Sequence, residues 1–397
     1  MLIGVVGKAN VGKSTFFKAL TLADIEIANY PFATIKPNHG VGFVKINCVD
    51  KEFNAQCNPR EGFCMNNKRF VPVDVMDVAG LVPGAHEGKG MGSQFLNDLN
   101  QANALIHVVD CSGSTNEKGE TVKPCSYDPS KDVKFLEIEL DYWYLNILKK
   151  GWDKFARQVQ QEHRDITTSL AKQLSGLGVT EDISKEIISS LGLNKEVPVS
   201  WSEKELFRLA TAFRKKTKPM IIVANKIDVP GAKHNYKKLR AEFPDLSIIP
   251  CSSESELALK EAAKHKLINY LPGERDFKII GDLNEKQKKG LEFIKNDLLD
   301  KFVEGSGVQQ ALNNVVFGLL KQIAVFPGGI NKLADQHGNI LPDCFLLPEN
   351  STALDFAYKV HSDLGNNFIR AIDVKTKRTV GKEHVLNHRD VIEIISK

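Results

Sequence analysis

Apolar residues in this chain come in short unbroken runs that stop at Gly, Asp or Asn. Residues 2–6, 105–109 and 220–224 are runs of this kind, and less continuous ones lie at 73–77 and 247–251. Such runs suit parallel strands covered on both faces rather than half-exposed hairpins. His107, inside one of them, reads as a packed strand residue. Between residues 135 and 213 the period becomes helical, over 135–145, 155–175, 184–191 and 203–213. Helical patterns return at 283–302 and 308–321; beyond about 320, short alternating strands surround one helix near 352–363. The pattern predicts an α/β chain: a doubly wound, mostly parallel sheet (residues 1–113 and 217–282) split by an α-helical insertion (114–216). A helical linker (283–319) and a small terminal module (320–397) follow.

Composition excludes several classes. The 397 residues are 42% hydrophobic, too apolar for a mainly disordered chain. Lys plus Arg number 53 and Asp plus Glu 49, a net charge of +4, which is not the footprint of an obligate nucleic-acid binder. The insertion (17 basic, 16 acidic) and residues 320–397 (10 and 9) are no more basic. No apolar run approaches the roughly 18 residues of a membrane span, and the start lacks the basic segment of a signal peptide. A cytoplasmic protein with no membrane partner is expected. The seven cysteines are an odd number, which suits reduced thiols. Cys48, Cys57 and Cys64 contain no C-x-x-C pair and read as ordinary thiols near a hairpin, with metal or disulfide use of the trio as the alternative.

Chemistry gathers at the ends of the apolar runs. Residues 7–14 read Gly-Lys-Ala-Asn-Val-Gly-Lys-Ser, the G-x-x-x-x-G-K-S phosphate loop. Gly7 and Gly12 let the backbone turn its N–H groups inward. Asn10, Val11 and Thr15 complete the wall, and Lys13 places a cation for the β- and γ-phosphates. The Ser14 hydroxyl is a candidate Mg²⁺ ligand, with the Asp77 carboxylate of D-x-x-G as a second, through water. Gly80 offers an N–H to the γ-phosphate, and Thr34 a hydroxyl to complete the Mg²⁺ shell. Residues 225–228 read Asn-Lys-Ile-Asp. The Asp228 carboxylate can accept from both N1–H and the exocyclic amine of guanine, whereas adenine presents an acceptor at N1. Lys226 can lie over the base, and Asn225 can tie the two loops together. Ser252 and Ser253 follow the 247–251 run, where a backbone N–H can meet O6. GTP and GDP are therefore the expected ligands, with Mg²⁺.

The stretches N-Y-P-F-A-T-I-K-P-N (29–38) and D-V-A-G-L-V-P-G-A-H-E-G-K-G-M-G (77–92), together with the phosphate loop, resemble the Obg/YchF branch of translation-factor GTPases. Residues 354–364, L-D-F-A-Y-K-V-H-S-D-L, look like a TGS domain, a β-grasp module similar to ubiquitin. The nearest subfamily is the archaeal-type YchF-related GTPases. The resemblance implies a ribosomal partner, through ribosomal RNA or proteins, and an insertion that projects toward partners; a monomer is expected. YchF proteins proper usually carry Glu where Asp228 stands and tend to use ATP, so the Asp argues for GTP. Leu81 occupies the place where small GTPases carry a water-orienting Gln, which implies slow intrinsic turnover. His86 is the polar candidate in that segment, either catalytic or a partner contact. Asn10 stands where potassium-dependent GTPases carry Asn, so K⁺ is a further candidate ion. Two alternatives stay open: an ATP-preferring hydrolase, and a ribosome-binding scaffold stabilised by nucleotide with negligible turnover.

Overall fold

A computed structural model describes residues 1–21, 39–78 and 98–397. They form two compact units. The first comprises Met1–Phe17, Val75–Ser255 and Asn296–Gly307; the second comprises Lys18–Asp74, Glu256–Lys295 and Val308–Lys397.

The first unit is built on parallel strands. Leu2–Val6 pairs in parallel with Ala104–Asp110, which pairs with Met220–Asn225, which pairs with Ile248–Pro250. The strand Lys68–Asp77 ends in this unit on the other side of Leu2–Val6, and the Val78 N–H donates to Val5 O at 3.0 Å. Every residue of Ala104–Asp110 and of Met220–Asn225 is buried, as the unbroken apolar runs require. The carboxyl ends of the strands therefore carry Gly7, Val78, Cys111, Lys226 and Cys251 into one set of loops, where ligands of such sheets bind.

Helices fill the insertion. Ser130–Lys149 buries Leu136, Leu140, Tyr144 and Leu148 at four-residue spacing, one stripe of an amphipathic helix. Of the consecutive aromatic residues 142–144, Trp143 and Tyr144 are buried, while Tyr142 is exposed and lies against Phe207. The helical pattern over 155–175 is broken in the structure. Trp152–Gln161 stops, His163 takes a left-handed φ of 49°, and Asp165 caps Ile166–Gln173 by accepting from the Thr167 N–H at 2.6 Å. The basic run 214–218 reads as a solvated helix end, and Lys215 and Lys216 are exposed. Arg214 and Lys218 turn inward instead. Arg214 donates to Asp141 at 2.7 Å and to Glu137 at 3.2 Å. Lys218 donates to Asn100 O and Ala102 O at 2.8 and 2.7 Å, and burial pushes its pKa down to about 8.

In the second unit the C-terminal residues form a five-stranded mixed sheet. Its order is Phe345–Pro348, Gln322–Pro327, Val391–Ser396, Phe368–Asp373, Arg378–Val380, with the middle pair Gln322–Pro327 and Val391–Ser396 parallel. The helix Ala353–Val360 is opened by a Thr352/Asp355 capping box and packs Ala353 and Phe356 into the core of Val325, Leu347 and Ile392. This is the β-grasp arrangement. No helix among the described residues is long and apolar enough to cross a membrane.

Arg214→Ala removes the cation from two acidic partners. It should lower unfolding stability by about 3–5 kcal/mol. The three tryptophans, Trp143, Trp152 and Trp201, all lie in the helical region and report the urea transition by fluorescence. A midpoint unchanged from wild type would show that the pair contributes nothing.

Candidate functional site

The phosphate loop follows from two close approaches. A Cβ at Gly7 would meet Val108 O at 2.5 Å, and one at Gly12, where φ is +88°, would sit 2.3 Å from Asn225 Nδ2. Only glycine fits both positions. The helix Lys13–Thr21 begins its ladder with the Phe16 N–H donating to Gly12 O at 2.9 Å. The N–H groups of Lys13, Ser14 and Thr15 precede that first bond, at the positive end of the helix dipole. Lys13 forms an ion pair with Asp77, so the residues of two separate motifs meet side by side. The Ser14 residue is exposed beside them.

Asn225 joins the loops. Its buried amide donates to Val11 O at 2.9 Å and accepts from the Ser253 N–H at 3.0 Å and the Ser253 hydroxyl at 2.8 Å. Lys226, held at a φ of +61°, donates to Asn10 O and to Asp110, each at 2.9 Å. Burial works against the charge on Asp110. Hydrogen bonds from Ser112, Lys226 and Ser114 outweigh it and hold the carboxyl below its ordinary pKa. Asp228 is half-buried, and its carboxylate makes no hydrogen bond or ion pair among the described residues. The Ser252 N–H donates to Ser306 O at 2.9 Å, so both serines brace the loop that carries them. Thr34, Gly80, Leu81 and His86 lie outside the described residues.

Three supporting residues have no signal in the motif. Lys8 fills a variable position, yet it is buried and donates to Thr115 O at 3.1 Å and to Asp132 at 2.9 Å. Its ammonium lies 4.0 Å from the Tyr127 ring centre, and the Tyr127 hydroxyl donates to Asp132 at 2.9 Å. Asn10, in a left-handed conformation, donates to Gly119 O at 2.8 Å. The phosphate loop is thus anchored to the 110–132 segment, a long-range tie that spacing along the chain cannot show.

Residues 2–137 match the model of the 50S ribosome-binding GTPases. Residues 223–328 match the G4 motif-containing domain of Obg-like, YGR210-like GTPases, and residues 334–396 the TGS domain. Over 398 aligned positions the chain is 50% identical to a GTP-binding protein of Methanocaldococcus jannaschii, covering 100% of this chain and 99% of that one. The chain belongs to the YchF-related, Obg-like GTP-binding proteins. The crystal structure of a GTP-binding protein from Pyrococcus horikoshii OT3 superposes on this YchF-related chain with a TM-score of 0.80, at 38% identity and full coverage of both. The ribosome-binding ATPase YchF of Escherichia coli O157:H7 is 26% identical, covering 99% of this chain and 98% of that one.

Two outcomes follow for the site of this YchF-related protein. Asn225→Ala leaves Val11 O and the Ser253 donors without a partner. At about 1–3 kcal/mol for each buried group left unsatisfied, it should lower stability measurably and weaken nucleotide binding by at least about tenfold. Calorimetry and denaturation read both. The second outcome concerns His107, whose Nδ1 has no partner among the described residues. Burial, with Lys8 nearby, lowers its pKa from 6.5 to about 3. The unfolded chain therefore binds a proton that the folded one refuses. The associated stability is complete above pH 6.5 and is lost as the pH falls toward 3. His107→Gln should flatten the stability–pH slope across that window; an unchanged slope would remove His107 as its source.

Proposed function

We propose that this protein binds GTP in preference to ATP and hydrolyses it slowly to GDP and phosphate. We further propose that it acts as a nucleotide-dependent switch on ribosomes or their assembly intermediates in the cytoplasm. The observation that carries the specificity is Asp228. Its carboxylate is half-buried and uncommitted among the described residues, on a loop that Asn225 binds to the phosphate loop. Guanine offers that carboxylate two donors; adenine leaves it facing an acceptor, a costly mismatch in a partly dry site.

In this reading Lys13 neutralises the β- and γ-phosphates, assisted by the first N–H groups of its helix. The exposed Ser14 hydroxyl and the Asp77 carboxylate are hard oxygen donors at the mouth of the loop, and they suit Mg²⁺. Magnesium held there would supply neutralisation of the phosphate charge. Binding would exchange the Lys13–Asp77 pair for a Lys–phosphate contact and an Asp–cation contact. Thr34 and Gly80 would sense the γ-phosphate, and His86 would act in the same segment, with Leu81 unable to orient water. Asn10 would hold K⁺ through its side-chain oxygen. The helical insertion (114–216) and the TGS domain would report the nucleotide state to the partner. Two findings support a ribosomal partner: the match of residues 2–137 to 50S ribosome-binding GTPases, and the name of the Escherichia coli relative, the ribosome-binding ATPase YchF. That name also says ATPase, so adenine nucleotides belong in the test.

Competition of GTP and ATP for the purified chain, with turnover measured in K⁺ and in Na⁺ and with and without ribosomes, tests this. GTP should win by at least about 100-fold, and Asp228→Asn should erase most of that preference. Lys13→Ala should cut turnover by about a hundredfold or more. Victory for ATP would remove the specificity claim. Ribosome binding that ignores nucleotide, together with turnover that Lys13→Ala leaves intact, would favour a scaffold. Equal rates in K⁺ and Na⁺ would remove the potassium role.

A further inference from the structure

A second constellation lies in the second unit. The chain leaves the strand His39–Asn47 directly into Cys48 and makes the short 3-10 turn Asp50–Phe53. It then loops through Cys57 and returns along Phe63–Met65. That strand pairs antiparallel with Lys68–Asp77, setting Cys64 opposite Arg69. The thiols of Cys48, Cys57 and Cys64 and a carboxylate oxygen of Asp50 all lie within 4.8 Å of one another. Cys48 Sγ is 3.4 Å from Cys57 Sγ, and Cys64 Sγ is 3.6 Å from Asp50 Oδ2.

Packing alone does not account for this. Asp50 is fully buried among thiols, and a buried carboxylate is costly without a cation. Its orientation is fixed by hydrogen bonds: Oδ1 accepts from the Lys51 N–H at 2.7 Å and from Asn67 Nδ2 at 3.2 Å, and Oδ2, which accepts a longer bond from the Cys57 N–H at 3.3 Å, faces the cysteine side. This is how an outer shell orients a ligating carboxylate. The sulfur spacing also fits. Thiolates about 2.3 Å from one tetrahedral ion stand roughly 3.8 Å apart, whereas a disulfide needs about 2.05 Å. All three thiols are free. Three thiolates and a carboxylate around one divalent ion leave two negative charges in excess. The buried Arg69 guanidinium, 3.8 Å from Cys57 Sγ, offsets one of them. Soft sulfur donors select zinc over magnesium or calcium, and four protein ligands make the closed shell of a structural site.

We propose that Cys48, Asp50, Cys57 and Cys64 hold one structural zinc ion, which fixes the 48–64 knuckle as the platform for the 339–343 loop of the C-terminal module. The contacts that the knuckle presents flank its ligands. The Asn58 N–H donates to Ile340 O at 2.8 Å and the Arg60 N–H to Pro342 O at 2.9 Å. Asn58 Nδ2 donates to Asn339 at 2.9 Å, and Arg60 pairs with Asp343 at 2.5 Å. Arg69 donates to Leu341 O and Pro342 O at 3.0 and 2.8 Å. A loop of six residues between Cys57 and Cys64 has little core of its own, and a metal ion would supply the rigidity that those bonds need.

The test uses the full chain, expressed with zinc and purified without chelator. Elemental analysis should give about one zinc per chain. The metal-free chain titrated with Co²⁺ should develop a thiolate-to-cobalt charge-transfer band and the visible bands of a tetrahedral site. Cys57→Ser and Cys64→Ser should lose the ion, Asp50→Asn should hold it at least about tenfold more weakly, and Cys125→Ser should keep it. Stripping the zinc should speed hydrogen exchange at residues 54–62 and 339–343. The cobalt titration is done on the wild-type chain, so a variant that fails to fold does not blunt the test. A folded wild-type chain that retains no zinc and shows no charge-transfer band would overturn the site. So would zinc content unchanged in Cys64→Ser, or recovery of Cys48 and Cys57 as a disulfide under alkylating conditions.

Discussion

Asn225 holds the phosphate loop and the loop after Pro250 with a single carboxamide. Its nitrogen donates to Val11 O while its oxygen accepts two hydrogen bonds from Ser253. A buried amide in this position has no water to fall back on, so the geometry on each side must match it. The same side chain explains Gly12: a Cβ there would collide with Asn225 Nδ2. Two motifs more than 200 residues apart in the chain are thus one packed object, and the glycine of the first is dictated by the asparagine of the second.

Around that pin the protein buries charge that its pattern does not announce. Lys8 and Asp132, Lys226 and Asp110, and Arg214 with Asp141 are pairs with at least one member nearly hidden from solvent. Taking such groups out of water costs several kcal/mol per ion, and only close, well-shared hydrogen bonds offset it. Asp110 shows how the balance is reached: it accepts from Ser112, Ser114, Thr115 and Lys226. What these pairs provide is position. Lys8 reaches out of the phosphate loop to Thr115 and Asp132 while Lys226 reaches into it at Asn10 O, and each fixes a backbone that must hold its N–H groups inward.

The cysteine knuckle follows the same logic in the second unit. Its ligating atoms come from the end of one strand, a short turn, a loop and a hairpin strand, at spacings of two, seven and seven residues. No local motif encodes that convergence, because the antiparallel pairing of Phe63–Met65 with Lys68–Asp77 brings Cys64 back to Cys48. The bland reading of three separate thiols is what a one-dimensional pattern allows; their common focus is a property of the folded chain.

Elements whose physics is local were legible along the chain. Unbroken apolar runs had to be buried strands, and Gly-x-x-x-x-Gly-Lys-Ser after one of them had to be a phosphate loop. Asn-Lys-Ile-Asp after another pointed to guanine, and the motifs of residues 29–38, 77–92 and 354–364 carried the family. Tertiary structure alone decided which side chains support those elements. Arg214 and Lys218 read as solvated cations because a helix end normally is; burial beside Asp141, Glu137 and two carbonyls reverses that. The helical period over 155–175 does not show the break at His163, whose left-handed φ is set where two helices change direction. Lys8, Asp132 and Asp50 became legible only when distant segments met. A side chain's charge or ligand role depends on its three-dimensional neighbours, whereas strand, helix and turn depend mainly on those adjacent in the chain.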